Sequence, residues 1–373
     1  MKIVLVSNYF NHHQRPLSDA LCRLTEDSFY FIETMPMRQE RRELGYGWDD
    51  LPDYVVTAYR SEHDRQRSME LILDADAVIA GSAPEAYLKQ RIREGKLIFR
   101  YSERPLKQGP EPLKYIPRLL RWNLRNPAGK PIYLLAASAY AAGDYARFRL
   151  FRNRAYRWGY FPETKNGGYP SKKEEKTILW VGRFLDWKHP DDAVRAALKL
   201  KDEGCVFRLC FVGTGQMEQQ LHSMVKDLGL EAYVSFLGSM KPEQVREHME
   251  RASVFLFTSD QQEGWGAVVN EAMNSGCAVV ASHAAGCVPY LLKDGENGLI
   301  YQSGNVDMLV QKIRVLLEHP DECSRMGQAA RETILNTWNA ETAAQRLIAL
   351  SEHILAGEIC PDIYRIGPCS RAE

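Results

Sequence analysis

Two glutamates separated by seven residues, Glu263 and Glu271, lie in Ser259-Asp-Gln-Gln-Glu-Gly-Trp-Gly-Ala-Val-Val-Asn-Glu-Ala-Met273. Apolar runs flank them, Val254-Phe-Leu-Phe257 before and Gly276-Cys-Ala-Val-Val-Ala281 after. The pattern predicts a strand, a loop bearing the first carboxylate, a glycine-flanked helix start, and a second carboxylate about two turns further on. Backbone N–H groups at Gly264, Trp265, Gly266 and Ala267 would then point outward with the positive end of the helix dipole behind them, where a diphosphate is best held. Carboxylates accept from neighbouring hydroxyl pairs, so Glu263 and Glu271 would hold a sugar ring and a ribose on either side of that phosphate. A bare pair at this spacing would be read as two surface glutamates at a helix start, and the surroundings change that reading. Arg183 and Lys188 add two cations after the apolar run Ile178–Val181, where they would neutralise a leaving diphosphate without a metal; alone they would read as solvated loop cations.

The stretch from Glu263 to Glu271 resembles the E-x7-E signature of retaining glycosyltransferases of family 4, which have the GT-B fold. The resemblance continues through Glu271-Ala-Met-Asn-Ser-Gly-Cys-Ala-Val-Val-Ala-Ser282 to Asp294-Gly-Glu-Asn-Gly-Leu299 and reaches back to Trp180-Val-Gly-Arg-Phe-Leu-Asp-Trp-Lys188. It implies catalytic roles for Arg183, Lys188 and Glu263. It implies substrate contacts for Glu271, Gly264, Trp265, Gly266, Ala267, Gly182, Met240, His13 and Glu103. The chain departs from the family where His189 stands for a usual glycine, where Ser7-Asn-Tyr-Phe-Asn-His-His-Gln-Arg15 lacks the paired glycines of the first loop, and where Tyr290 ends Gly286-Cys-Val-Pro-Tyr290 in place of a glutamate. Glu103 follows the strand Leu97–Tyr101 where a sugar-contacting histidine is usual; it could accept from hydroxyls or pair with Arg100 or Arg104. His12 and His13 become acceptor-side candidates, or loop-holding residues.

A chain of 373 residues suits two cores, and its 45% apolar and 26% charged content describes a globular protein. No apolar run approaches a membrane span, and the opening Lys2–Val6 reads as a strand, so no secretory signal is expected. Eight scattered cysteines without a C-x-x-C pair read as reduced thiols, and the nine histidines lack metal-site spacing. Net charge is zero but uneven. From Arg100 to Tyr160 thirteen Lys or Arg face three acids, a local balance of +10 against −10 elsewhere. Cations interleaved with aromatic and aliphatic groups over 104–158 suit an anionic membrane surface, and no nucleic-acid motif accompanies them.

Alternating apolar runs and amphipathic segments predict an α/β fold of two Rossmann-like doubly wound domains facing across a cleft, the GT-B arrangement. Domain one spans 1–162 as the acceptor-binding half, and the resemblance implies that a helix at 341–356 joins it. Its predicted strands are Ile3–Val6, Phe29–Glu33, Ala77–Ala80, Leu97–Tyr101 and Ile132–Ala136, with helices at Leu17–Leu24 and Ser68–Leu73. A Pro/Gly/Lys loop is expected after Arg104 and a basic helix over Ala139–Phe151. Domain two spans 163–340 as the nucleotide-sugar half, after a linker at Glu163–Lys176. Residues 357–373 read as a mobile tail.

Two other motifs are discounted. Phe211-Val-Gly-Thr-Gly-Gln-Met-Glu218 lacks the third glycine of a dinucleotide fingerprint and sits mid-chain. Asp74-Ala-Asp76 matches a metal motif of another fold but falls at the amino end of a predicted strand, where capping and solvation account for it. The resulting expectation is a retaining hexosyltransferase that uses a nucleotide-diphosphate sugar, a UDP-hexose first, with a glycan or lipid-linked hydroxyl as acceptor in cell-surface polysaccharide or glycolipid synthesis. No cofactor is expected. The expected place is the cytoplasm, with peripheral attachment to the inner face of the plasma membrane left open. A sugar-nucleotide epimerase and a non-catalytic sugar-nucleotide-binding protein are the alternatives.

Overall fold

The computed structural model describes residues 1–39, 47, 50–109, 111–167 and 173–372. Two compact units result: Met1–Glu163 with Asn339–Glu373, and Thr164–Trp338. Part of the expected linker, 168–172, lies outside the described residues.

The first unit is built from β1 (Ile3–Ser7), α1 (Arg15–Leu24), β2 (Phe29–Glu33), β3 (Val55–Thr57), α2 (Glu62–Asp74), β4 (Ala77–Ala80), α3 (Lys89–Glu94), β5 (Leu97–Ser102), α4 (Pro112–Arg125), β6 (Ile132–Ala136), α5 (Ala141–Ala146) and β7 (Ala155–Arg157). The seven strands form one parallel sheet in the order β3-β2-β1-β4-β5-β6-β7. Helices cover both faces of such a sheet, so β1, β4 and β6 are apolar and buried along most of their length. Arg91 is fully buried and its guanidinium donates to the carbonyls of Ile72, Ala75 and Leu97, joining the ends of α2 and α3 to the start of β5. Burial lowers its pKa to about 10.

The second unit holds β8 (Glu174–Val181), α6 (Pro190–Asp202), β9 (Arg208–Val212), α7 (Glu218–Asp227), β10 (Val234–Phe236), α8 (Pro242–Arg251), β11 (Ala252–Phe257), α9 (Ala267–Asn274), β12 (Ala278–Ser282), α10 (Val288–Leu291), β13 (Leu299–Tyr301), α11 (Val306–Glu318) and α12 (Pro320–Asn336). Its six parallel strands run β10-β9-β8-β11-β12-β13. Trp180, Phe184, Val194, Phe211, Leu256 and Ile313 anchor its core.

α13 (Ala340–Leu355) packs on α1 in the first unit, with an Arg23–Glu341 ion pair at the contact. The expectation of a mobile tail is corrected beyond it. Tyr133 and Tyr156 donate their hydroxyls to the carbonyls of Ile359 and Pro361 at 2.8 and 2.9 Å, the Arg157 N–H donates to Ser370 at 2.7 Å, and Cys369 is buried. The tail satisfies the outer edge of β7, which would otherwise present unpaired backbone groups.

Two further expectations in the first unit are corrected. The Pro/Gly/Lys stretch after Arg104 yields a helix, α4, because Pro112 occupies the first helical turn where its missing N–H costs nothing. The expected basic helix over Ala139–Phe151 is only α5. Beyond it Arg149, Phe151 and Asn153 adopt positive φ, and Phe148 and Leu150 turn into a small core with Leu106.

Candidate functional site

The strand order of the second sheet reverses between β8 and β11, which are hydrogen-bonded neighbours. Ligands of open α/β sheets bind at the carboxyl ends of strands at such a point. Two loops emerge there, Gly182–Lys188 after β8 and Thr258–Gly266 after β11, and they bring together residues far apart in sequence. Lys188 Nζ donates to Glu263 Oε2 at 2.6 Å, with each side chain only 13% exposed. Ser259 Oγ donates to the same oxygen at 3.0 Å. Thr258 Oγ1 donates to the Lys188 carbonyl at 2.6 Å and accepts from Trp180 Nε1 at 2.9 Å, so the lysine's backbone is tied to the core. The ammonium stands 4.6 Å from the Trp187 ring centroid, a cation–π contact.

His189 adopts φ +48°, in the left-handed region that costs a non-glycine residue about 1 to 2 kcal/mol. That conformation accounts for the glycine usual at this position. Here the imidazole lies 3.3 Å from Asp260 Oδ2, while the Asp260 N–H donates to the Trp187 carbonyl at 3.0 Å. With the two Lys188 contacts above, the loops are thus strapped together at four points.

The Gly-x-Gly of the discounted dinucleotide motif has a structural task. Its loop, after β9, lies against the loop after β8, with the Phe184 N–H donating to Thr214 at 2.9 Å. Gly213 has φ +134°, and a Cβ there would fall 1.9 Å from the Gly182 carbonyl oxygen. Glycine therefore lets one loop set the position of Gly182 and Arg183. Arg183 itself is exposed and has no acid partner among the described residues.

Gly266 caps α9 at φ +100°, and a Cβ there would meet the Phe257 ring at 2.6 Å. The first-turn N–H groups of α9, at Ala267 and Val268, have no carbonyl partner within the helix. One turn on, Glu271 is half-buried, and burial lifts its carboxyl to about 7 while the Arg246 charge opposes the shift. Arg246 donates to the Glu271 carbonyl at 2.7 Å and to Ser275 Oγ at 3.1 Å, which fixes this part of the helix.

Not every expected residue offers its side chain. Trp265 offers no side chain, since it is 1% exposed, its indole N–H donates to Asn270 at 2.9 Å and its ring lies against Tyr290 and Trp338, which leaves its backbone N–H as the group expected to face the ligand. A large apolar ring beside a helix start is more stable in the core than at a polar site. Tyr290, in place of the family's glutamate, stacks on Trp338 at 5.8 Å between centroids. Met240 is half-buried in the segment between β10 and α8. Ser259, Asp260 and Thr258 were not singled out from the sequence; their signal is polar residues placed directly at the end of an apolar strand.

His13 and Glu103 belong to the first unit. The His13 N–H donates to Asn11 Oδ1 at 3.0 Å, and its ring lies 3.8 Å from that of His12 and 6.3 Å from that of Tyr160. Glu103 accepts from the Tyr160 hydroxyl at 3.0 Å and from Lys107 at 3.3 Å. The pairing expected with Arg100 or Arg104 is corrected, because Arg100 is held by Glu85 at 3.1 Å and Arg104 by Asp144 at 3.2 Å. Asp74 and Asp76 pin the start of β1, accepting from the Lys2 ammonium and the Lys2 N–H at 2.6 and 2.8 Å.

Comparison with known proteins places this geometry. Residues 163–333 match the family described as Glycosyl transferases group 1. A GDP-mannose-dependent alpha-(1-6)-phosphatidylinositol monomannoside mannosyltransferase of Mycolicibacterium smegmatis is 28% identical over 183 residues, 48% of this chain and 48% of its own. The amylovoran biosynthesis glycosyltransferase of Erwinia amylovora is 27% identical over 182 residues, 48% of this chain and 44% of its own. The chain thus spans about half the length of the curated relatives it matches. Among solved structures, Anabaena HepE in complex with UDP superposes with a TM-score of 0.67 at 15% identity, covering 94% of this chain and all of that one, which shows the GT-B fold.

Proposed function

We propose, from the match of residues 163–333 to the group 1 glycosyl transferases, that this protein moves a hexose from a nucleotide-diphosphate sugar to a hydroxyl, with retention at the anomeric carbon. The observation that carries the reading is the convergence of Arg183, Lys188, Glu263 and the start of α9 at the point where the strand order reverses. In this reading the bond between the anomeric carbon and the phosphate oxygen breaks, and its electrons pass to the departing diphosphate. Arg183, Lys188 and the first N–H groups of α9 stabilise that developing charge, which lowers the barrier more than it tightens substrate binding. The acceptor oxygen bonds to the anomeric carbon from the face the diphosphate leaves, and its proton goes to the departing phosphate. Glu263 holds hydroxyls of the donor sugar, already aligned by Lys188 and Ser259. Glu271 accepts from the ribose diol in its ionised form.

A UDP-hexose is the first donor to test. HepE was solved with UDP, and the mycobacterial relative depends on GDP-mannose, so the base is read by experiment. The acceptor is a glycan or lipid-linked hydroxyl met at an anionic membrane surface, and the diphosphate is neutralised by protein cations without a metal. Thermal shifts with UDP, GDP, ADP and their hexose conjugates, with and without EDTA, test this, because a ligand of the native state raises apparent stability. One nucleotide family should shift the melt, insensitively to EDTA, and the shift should vanish in Glu271→Ala. No shift with any nucleotide overturns the reading.

A further inference from the structure

Helix α4 is amphipathic in the reverse of the usual sense: it packs aromatic side chains against the unit on one side and leaves an apolar ridge in the open on the other. Tyr115 stacks on Phe148 at 5.1 Å between centroids, and Trp122 meets Phe148 edge-on at 4.5 Å and Tyr145 at 5.3 Å. These contacts fix the rotation of the helix. Leu113, Ile116, Leu120 and Leu124, at spacings of three, four and four, then form one stripe, and they are 95%, 65%, 60% and 81% exposed. A contiguous apolar ridge of this kind marks an interaction surface.

Cations lie on this helix and on the segment behind it. Arg121 projects from the same helix, and Arg147, Arg149 and Arg152 follow α5 on the segment against which α4 packs. All four are exposed and have no acid partner among the described residues. Lys114 and Arg118 lie on the helix too, but share Glu111. The positive φ of Arg149, next to the buried Phe148 and Leu150, holds this segment in place and its arginines outward.

We propose that α4 is the membrane-docking element of this protein: it lies in the interface of an anionic bilayer with its leucine ridge in the acyl boundary and the arginines at the level of the lipid phosphates. A second copy of the chain would bring these four exposed arginines against their own counterparts, and a nucleic-acid backbone offers nothing to four exposed aliphatic side chains. Only a surface apolar within and anionic at its rim answers both features. Among the described residues no helix is long and apolar enough to cross a membrane, so this contact is peripheral. The inference rests on the membrane-surface part of the proposed function and names the element responsible. Vesicle binding needs no donor, so it fails separately from sugar transfer.

The test is flotation of the full chain with phosphatidylcholine vesicles containing 0 or 30% phosphatidylglycerol, roughly the anionic range over which such segments bind. Binding should require the anionic lipid. The double substitution Leu120→Ser with Leu124→Ser should weaken it at least ten-fold, and Arg121→Gln about five-fold, the factor for one cation near such a surface. Both variants should melt with the parent, since the altered side chains are exposed. Ile116→Trp should show a blue-shifted emission on anionic vesicles, quenched by brominated acyl chains. The proposal is overturned by absence of binding, by binding that ignores the ridge and responds to charge alone, or by concentration-dependent dimerisation that the serine variants abolish.

Discussion

Replacing Glu271 by Gln should stabilise the protein above neutral pH and weaken nucleotide binding at once. The carboxyl has an ordinary value of 4.5 and is lifted by burial to about 7. At 1.36 kcal/mol per unit, this amounts to about 3 kcal/mol. The sign follows from where the proton is held. Below about pH 4.5 the side chain is protonated in both folded and unfolded chains. As pH rises towards 7 the unfolded chain ionises while the fold keeps its proton, so stability falls, and above 7 the whole penalty is present. Glutamine matches the protonated carboxyl in shape and never ionises. Its stability relative to the parent should therefore grow by about 2 to 3 kcal/mol between pH 5 and pH 8. For a unit of this size that corresponds to about 5 to 10 °C in melting temperature. Thermal scans of both proteins every half unit of pH measure the difference directly. A flat difference, or one that grows towards acid, refutes the burial argument. Loss of the nucleotide-induced shift in the same variant would show that a carboxylate kept at a cost to the fold is kept for its ligand.

Arg183→Ala and Lys188→Ala should each lower kcat by about 10²- to 10³-fold, the usual effect of one charge-stabilising group, and normal initial rates in either would remove the diphosphate assignment. They should differ in stability. Arg183 is exposed, so its variant melts with the parent, whereas Lys188 and Glu263 should show a coupling of about 1 kcal/mol or more in a double-mutant cycle read from denaturation. Gly213→Ala, with its clash against Gly182 and unsuitable φ, should cost more than about 2 kcal/mol. A melting temperature within 1 to 2 °C of the parent, roughly the effect of a neutral substitution, would show that the two loops do not meet as described. Trp265→Ala should destabilise by about 3 to 5 kcal/mol through loss of a core ring. A variant that keeps its melt but raises KM would show that the ring itself serves the substrate.

The second unit was more legible in the sequence than the first, for a physical reason. Strands such as Ile178–Val181 and Val254–Phe257 are continuous apolar runs because both faces of the sheet are covered, and each stands out against the polar loops that follow. In the first unit β3 and β7 have three residues each, too few to show a period. α4 hides behind Pro112 and Pro117, which read as loop punctuation when position within the helix is unknown. At the site, the residue types at 183, 188, 263 and 271 pointed to anion and hydroxyl chemistry. The Lys188–Glu263 pair could not be read, because it depends on β8 lying beside β11, a fact of strand order. The core role of the Trp265 ring was not legible either, because the residue's place at a glycine-flanked helix start draws attention to its backbone alone.

The return of α13 and the following residues to the first unit also sets an order of events during synthesis. The second unit has all its strands once the chain has been made to Trp338, while the first, begun earlier, lacks the partner of α1 and the segment along β7 until Asn339 and beyond have left the ribosome. The half made first is thus the half finished last. A premature stop near residue 339 would spare the second core entirely and leave the nascent first unit with an open hydrophobic face and an unpaired sheet edge, the features that recruit chaperones or lead to aggregation.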